Sequence, residues 1–244
     1  MQLSTSSWYE IQDYLRFSDG VIIPVGSIEQ HGPIGLIGTD TFCVEDIAEE
    51  VGKNINALIA PTLAYTPAEF NMKFPGTISI SPNLFEDFCR QVFNSFARHG
   101  FKHLYILNGH GANLVPLRKI RNTISDVEIR IKSWWDFTSV NELRNNFFGD
   151  WEGMHATPAE ISITQVHRRT IISSLADTEP ELLSKKYIED HAGDNHGDAF
   201  SHRQSFPDGR VGSHSALARR EYGIELMTAA VQEVQKDYLN FLKT

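Results

Sequence analysis

VIIPVGSIEQHGPIGLIGTD, residues 21–40, decides the architecture. Its first five residues form a short, continuously apolar run, which suits a strand buried on both faces. Gly26 and the Gly32-Pro33 pair then turn the chain. TFCVEDIAEEVGKN (41–54) follows with helical periodicity. The same alternation recurs downstream. ALIAP (57–61) is a second apolar run, NLFEDFCRQVFNSFARHG (83–100) an amphipathic helix stopped by Gly100, and HLYILNGHGAN (103–113) a strand running into a glycine turn. A helix to about Ile124, an alternating strand VEIRIKSW (127–134) and a helix TPAEISITQVHRR (157–169) come next. Thr157 is placed to cap that last helix, with Pro158 at its first position. SSWYEIQDYLRF reads as an opening helix capped by Ser6 or Ser7, and residues 215–243 as one long closing helix.

Alternating strands and helices predict an α/β fold, a three-layer α/β/α arrangement with a mainly parallel central sheet, as one domain over residues 1–244. In such sheets ligands sit outside the carboxyl ends of the strands. The 26–40 loop and the NGHGAN turn both lie at such ends, which is the first reason to join them.

Composition narrows the function classes. A net charge of −9 argues against a non-specific nucleic-acid binder. No stretch approaches the ~18–20 apolar residues that span a bilayer, and MQLSTSSWYEIQDYL has neither the basic nor the apolar region of a signal peptide. Cys43 and Cys89 lie far apart, form no CxxC, and read as buried free thiols of a cytoplasmic protein. The Pro- and aromatic-rich loop at residues 62–79 is of a length that is usually functional.

The chemistry gathers on the two turns. Glu29 and His31, two apart in an irregular segment, can face one side, and the intervening glycines let the loop return at Asp40. His110 ends another strand between Gly109 and Gly111. Two carboxylates and two imidazoles suit Zn²⁺, Mn²⁺ or Fe²⁺, and a carboxylate can bridge two ions. In WEGMHATPAE (151–160), His155 precedes a helix start and has Glu160 nearby, which suits general acid–base work at neutral pH. Competing motifs are weak. GHGAN lacks the third glycine of a dinucleotide site, no G-x-S-x-G elbow or P-loop occurs, and HAGDNHGDAFSH (191–202) fits no standard zinc spacing and reads as a lid or inter-subunit loop.

VIIPVGSIEQHGPIGLIGTD, HLYILNGHGAN, WEGMHATPAEIS and FPDGRVGSHSALARREYGIEL together resemble the creatininase (creatinine amidohydrolase) family, over roughly Val21 to Leu226. The resemblance implies a parallel sheet between helices, homo-oligomers (a hexamer among them), a small-molecule substrate, two divalent metal ions and hydrolysis of amide C–N bonds. It implies Glu29, His31, Asp40 and His110 as metal ligands with Asp40 bridging, His155 as the catalytic histidine, Trp151 as a pocket aromatic, and Glu160 as the remaining ligand beside His155. Two departures stand out. Ile34 replaces a second histidine of the family's HGPHLP, and Gly111 and Ala112 stand where creatininase itself has an aromatic and then a glutamate. Creatinine is therefore not the expected substrate. A small cyclic amide or formamide is, with trimming of a modified peptide or opening of a lactone or ring as alternatives.

Overall fold

The computed structural model describes residues 1–244. Its sheet has four strands, β1 (Gly20–Val25), β2 (Leu58–Ile59), β3 (His103–Asn108) and β4 (Glu128–Ser133), in the order β2-β1-β3-β4 and parallel throughout. Each predicted strand is present. Every residue of β1 is buried, because both faces are covered. Ile22, Tyr105 and Leu107 point to one layer, formed by α2 (Thr39–Ile55), α5 (Thr138–Phe148), α6 (Pro158–His167) and α9 (Arg220–Phe241). Val21, Ile23, Val25, Leu104 and Ile106 point to the other, formed by α1 (Trp8–Tyr14), α3 (Pro82–Arg98) and α4 (Leu114–Arg121). The two apolar clusters on either side of the sheet make the expected three layers.

Chain order sets where a ligand can bind. From β1 the chain goes to β2 on one side, then returns to place β3 on the other. Between β1 and β3 the loops diverge and leave a crevice at the carboxyl edge. The ladder there ends at Val25 opposite Asn108 and Ser133.

The caps follow the sequence closely. Ser7 and Thr157 each accept from the N–H three residues on and complete capping boxes with Glu10 and Glu160. Three segments differ from the expectation. The closing helix starts at Arg220, after a tight turn at Ser215–Leu217, because the Arg219 N–H is drawn to Ser162 Oγ at 3.0 Å. α5 carries no side-chain cap, because Phe137 stands at its N-cap. The polar 182–210 stretch holds two short helices, α7 (Lys185–Asp190) and α8 (Ala199–Ser205), capped by Ser184 and Asp198. Cys43 and Cys89 are free and buried. No helix is long and apolar enough to cross a membrane.

α6 and α9 pack at close range, and Gly223 is the point of contact: a Cβ there would collide with the carbonyl oxygen of Ser162. Gly223→Ala is expected to lower stability by about 1–3 kcal/mol in urea unfolding, whereas Gly100→Ala, where a Cβ meets nothing, owes any loss to its φ of +99° alone.

Candidate metal centre

Two turns meet at the crevice because Gly109 has no side chain. A Cβ there would strike the backbone carbonyl of Asp40 at the start of α2. Two asparagines then tie the turns together. Asn113 Nδ2 donates to the Gly26 carbonyl (2.9 Å) and to Asn108 Oδ1 (3.1 Å), and Asn108 Nδ2 donates to the His110 carbonyl (2.8 Å) and Ser133 Oγ (3.1 Å). On the other side α6 presents Glu160 from its first turn, and Ala156, at φ +57°, bends the chain between His155 and the capping Thr157.

The result gathers Glu29, His31, Asp40, His110, His155 and Glu160, all buried. Their ligating atoms form three overlapping trios, Glu29-Asp40-His110, His31-Asp40-Glu160 and Glu29-His31-His155, each within 4.8 Å. Asp40 joins the first two: Oδ1 lies 3.0 Å from His31 Nε2, and Oδ2 lies 3.3 Å from His110 Nδ1.

Each histidine has one ring nitrogen committed to a backbone carbonyl. His31 Nδ1 donates to Glu29 O (3.1 Å), His110 Nε2 to Pro67 O (2.8 Å) and His155 Nε2 to Gln30 O (2.7 Å). A neutral imidazole has one N–H, so the other nitrogen of each presents a lone pair to the carboxylates. His31 Nε2 faces Asp40 and, at 3.8 Å, Glu160 Oε1, while His110 Nδ1 faces Glu29 Oε1 at 3.3 Å as well as Asp40. Lone pair against carboxylate is repulsive unless a cation lies between, either a metal ion or, without one, a second proton on the ring. Glu29 Oε1 and Oε2 and Asp40 Oδ2 have no hydrogen-bond partner. No Lys or Arg pairs with Glu29, Asp40 or Glu160. These orphaned atoms, and a donor set of carboxylate oxygens and imidazole nitrogens, fit divalent metal ions.

The ionisation equilibria show the same frustration. Burial pushes the Glu29 carboxyl up to about 8, against the pull of His110. Burial likewise raises Glu160 to about 7 despite His31. Burial works against a charge on His31, but Asp40 and Glu160 outweigh it and raise the imidazole to about 10. His155 goes the other way: burial, then the neighbouring His31 charge, hold it well below its ordinary value and keep it neutral.

A family model described as "Creatininase: Creatinine amidohydrolase" matches residues 4–237. The chain belongs to the creatininase family. Among curated relatives, the 3-dehydro-scyllo-inosose hydrolase of Thermotoga maritima is 35% identical over 46% of this chain and 36% of its own length. The creatinine amidohydrolase of Pseudomonas putida is 27% identical over 64% of this chain and 68% of its own. The mycofactocin precursor peptide peptidase of Mycobacterium tuberculosis is 32% identical over 42% and 44%. The matches to the first and third thus span less than half of those relatives. A solved "Creatininase Mn" structure superposes with a TM-score of 0.76 at 21% identity, covering 97% of this chain and 96% of that one, which establishes the shared fold.

Within this creatininase-family fold the centre opens on a cavity of about 290 Å³, lined by Asp40, His110, His155 and Glu160 and walled by Trp134 and Trp135, with Arg144 at its edge. Trp151 stands outside that lining. Its turn folds back on the 211–214 segment, where it meets His214 edge-on at 5.6 Å. Ile34, the other departure, points away too and packs on Ile161 and Ala176 in a small satellite cluster. Its replacement of histidine therefore leaves the cavity wall unchanged. Sequence reading missed the Trp134-Trp135 wall, which follows β4 directly, and Phe70, which lies within 5.8 Å of the His155 ring. It also missed Asp194, whose Oδ2 is 3.4 Å from His110 Nδ1. The His/Gly/Asp-rich composition of 191–202 was the one available hint.

An acid whose folded pKa is raised above its unfolded value destabilises the fold increasingly as pH climbs between the two. Glu29→Gln is therefore expected to stabilise chelator-treated protein at pH 8 by a few kcal/mol, with the gain shrinking towards pH 5. Added Zn²⁺ should raise the melting midpoint of the wild type more than that of Glu29→Gln, which keeps only the His31-Asp40-Glu160 trio intact.

Proposed function

We propose that the chain is a dinuclear metal-dependent amidohydrolase that cleaves a C–N bond of a small, cyclic amide or a formamide. The observation that carries the reading is the division of Asp40, with one oxygen on His31 and the other on His110. Glu29, Asp40 and His110 would hold one ion, and His31, Asp40 and Glu160 the other. Zn²⁺ suits both sites, with Mn²⁺ or Fe²⁺ as alternatives at one. Bound there, a pair of divalent ions supplies Lewis acidity to a carbonyl oxygen and lowers the pKa of water.

The protein's own groups do the rest. His155 is neutral, its Nε2–H is fixed on Gln30 O, and its Nδ1 is 3.5 Å from Glu29 Oε1 at the cavity. That lone pair can take a proton as attack on the amide carbon proceeds and return it to the leaving nitrogen. Glu160 Oε1 stays anchored by the Thr157 N–H at 2.5 Å, so helix capping also fixes the ligand's direction. Trp134 and Trp135 exclude water from the reacting face. A cavity of about 290 Å³ favours a small molecule, while a larger opening of about 690 Å³ that also reaches His31, lined by Phe74 and Pro75, keeps trimming of a peptide as the alternative.

The whole chain acts as one hydrolase domain in this reading, in the cytoplasm, where its free thiols persist. Exposed Trp8, Tyr9, Phe17, Leu84 and Phe88 support a homo-oligomer. A second reading keeps the centre and opens a hydroxyl-rich ring. The relative named for 3-dehydro-scyllo-inosose and the polar Arg144 edge of the cavity favour it.

The test combines elemental analysis with a hydrolysis screen of cyclic amides, formamides, lactones and inososes. Two ions per chain and turnover of an amide are expected. Asp40→Ala should lose both ions, because each trio on either side needs it. His155→Ala should keep them while kcat falls about 10²–10⁴-fold. An Asp40→Ala protein that retains both ions would sink the reading.

A further inference from the structure

Asp194 lies in the segment between α7 and α8, a segment remote from every other group of the centre in the chain. Three carboxylate oxygens surround His110 Nδ1: Glu29 Oε1 at 3.3 Å, Asp40 Oδ2 at 3.3 Å and Asp194 Oδ2 at 3.4 Å. In the neutral ring, with Nε2–H given to Pro67 O, Nδ1 offers all three a lone pair, which is the form that binds a cation. Donor atoms held about 2.0–2.2 Å from one ion in a tetrahedral shell stand about 3.3–3.6 Å apart. The distances to His110 Nδ1 are of that size; Glu29 and Asp40 close a trio with it as the structure stands, and Asp194, which meets the ring nitrogen from outside that trio, would complete the shell by moving in on loading.

The segment is shaped to deliver this carboxylate. Gly193 and Asp194 both have positive φ, +78° and +57°, a conformation that aspartate tolerates better than most residues. The Ala112 N–H donates to Asp194 Oδ2 at 3.2 Å, and the carboxylate fills the space that a side chain on Gly111 would need. Gly111 and Ala112 carry no side chain that could ligate a metal, and the space at the edge of the centre is taken by a group from elsewhere. What holds the segment down is packing. His196 and, in α8, His202 lie 5.1 and 5.0 Å from the Phe70 ring without hydrogen bonds, and His196 Nε2 lies 3.6 Å from the other carboxylate oxygen of Asp194.

We propose that Asp194 is a further ligand of the ion held by Glu29, Asp40 and His110, and that the 191–198 segment closes over the cavity by this bond. The inference rests on the dinuclear reading above. It makes the segment a metal-latched wall: an ion in place draws Asp194 in, and Asp194 in place finishes the cavity around the substrate.

The experiment is Zn²⁺ and Co²⁺ titration of chelator-treated Asp194→Asn and Asp194→Ser, followed calorimetrically and by Co²⁺ absorption, with hydrogen exchange of residues 185–198 measured before and after loading. Asp190→Asn, an exposed change on the same segment, is the control. Wild type and Asp190→Asn should bind two ions and gain protection at 191–198 on loading. Both Asp194 variants should melt normally without metal, bind one ion about 10–100-fold more weakly, change the Co²⁺ spectrum and gain no protection. Wild-type affinity and protection in both variants would overturn the inference while leaving the dinuclear reading intact. A wild type that binds no divalent ion would overturn both.

Discussion

One carboxylate, Asp40, stands between the ring nitrogens of His31 and His110 that their backbone contacts leave free. The rest of the centre depends on that placement. Backbone carbonyls of Glu29 and Pro67 take the N–H of His31 and His110, which turns the remaining lone pairs onto Asp40. Burial removes the water that would relieve the conflict. The chain spends its arginines and lysines elsewhere, as in Arg168 on Asp46 and Lys119 on Glu86. A buried acidic cluster without such partners is unfavourable as folded protein and favourable as a ligand set. The local frustration is the price of metal affinity, and the rest of the fold offsets it.

The sheet supplies that support. Its two apolar clusters fix β1 and β3 side by side, and the crossover from β2 opens the crevice between their loops. Asn108, at the last rung of the ladder, ties His110 to β4 through Ser133, and Asn113 ties the same turn back to Gly26. The imidazole and the carboxylates are thus positioned from strand ends and a helix start, elements with little freedom. Catalytic loops need such a rigid base if their donor atoms are to hold one geometry.

Much of this was legible in the sequence, for a physical reason. Short apolar runs ended by glycine report parallel strands, and residues just after them fall at one edge of the sheet whatever the intervening helices do. Glu29, His31, Asp40 and His110 could be placed together on that rule. The family resemblance alone marks Glu160 as a ligand, and its capping role and its approach to His31 at 3.8 Å follow from where α6 lies. Asp194 could not be placed, because nothing periodic links a loop after α7 to a turn after β3. Trp151 and Ile34 mislead for the opposite reason. A motif records neighbours along the chain, while the cavity is defined by neighbours in space, where Trp151 meets His214 and Ile34 meets Ile161.

That distinction relocates the question of substrate. Gly111 and Ala112 look, along the chain, like an emptied wall. In space the volume beside Gly111 is filled by a carboxylate from 191–198, and the apolar wall is provided by Trp134 and Trp135. The walls around the metal ligands therefore come from segments that differ in constraint. Trp134 is pinned at the end of β4 with almost no exposure, whereas the 191–198 segment leans on Phe70 through His196, whose ring makes no hydrogen bond. Chemistry is set by the strand ends, which cannot vary without losing the sheet. The 191–198 segment, which lines the same cavity through Gly193 and Asp194, can change without disturbing any strand.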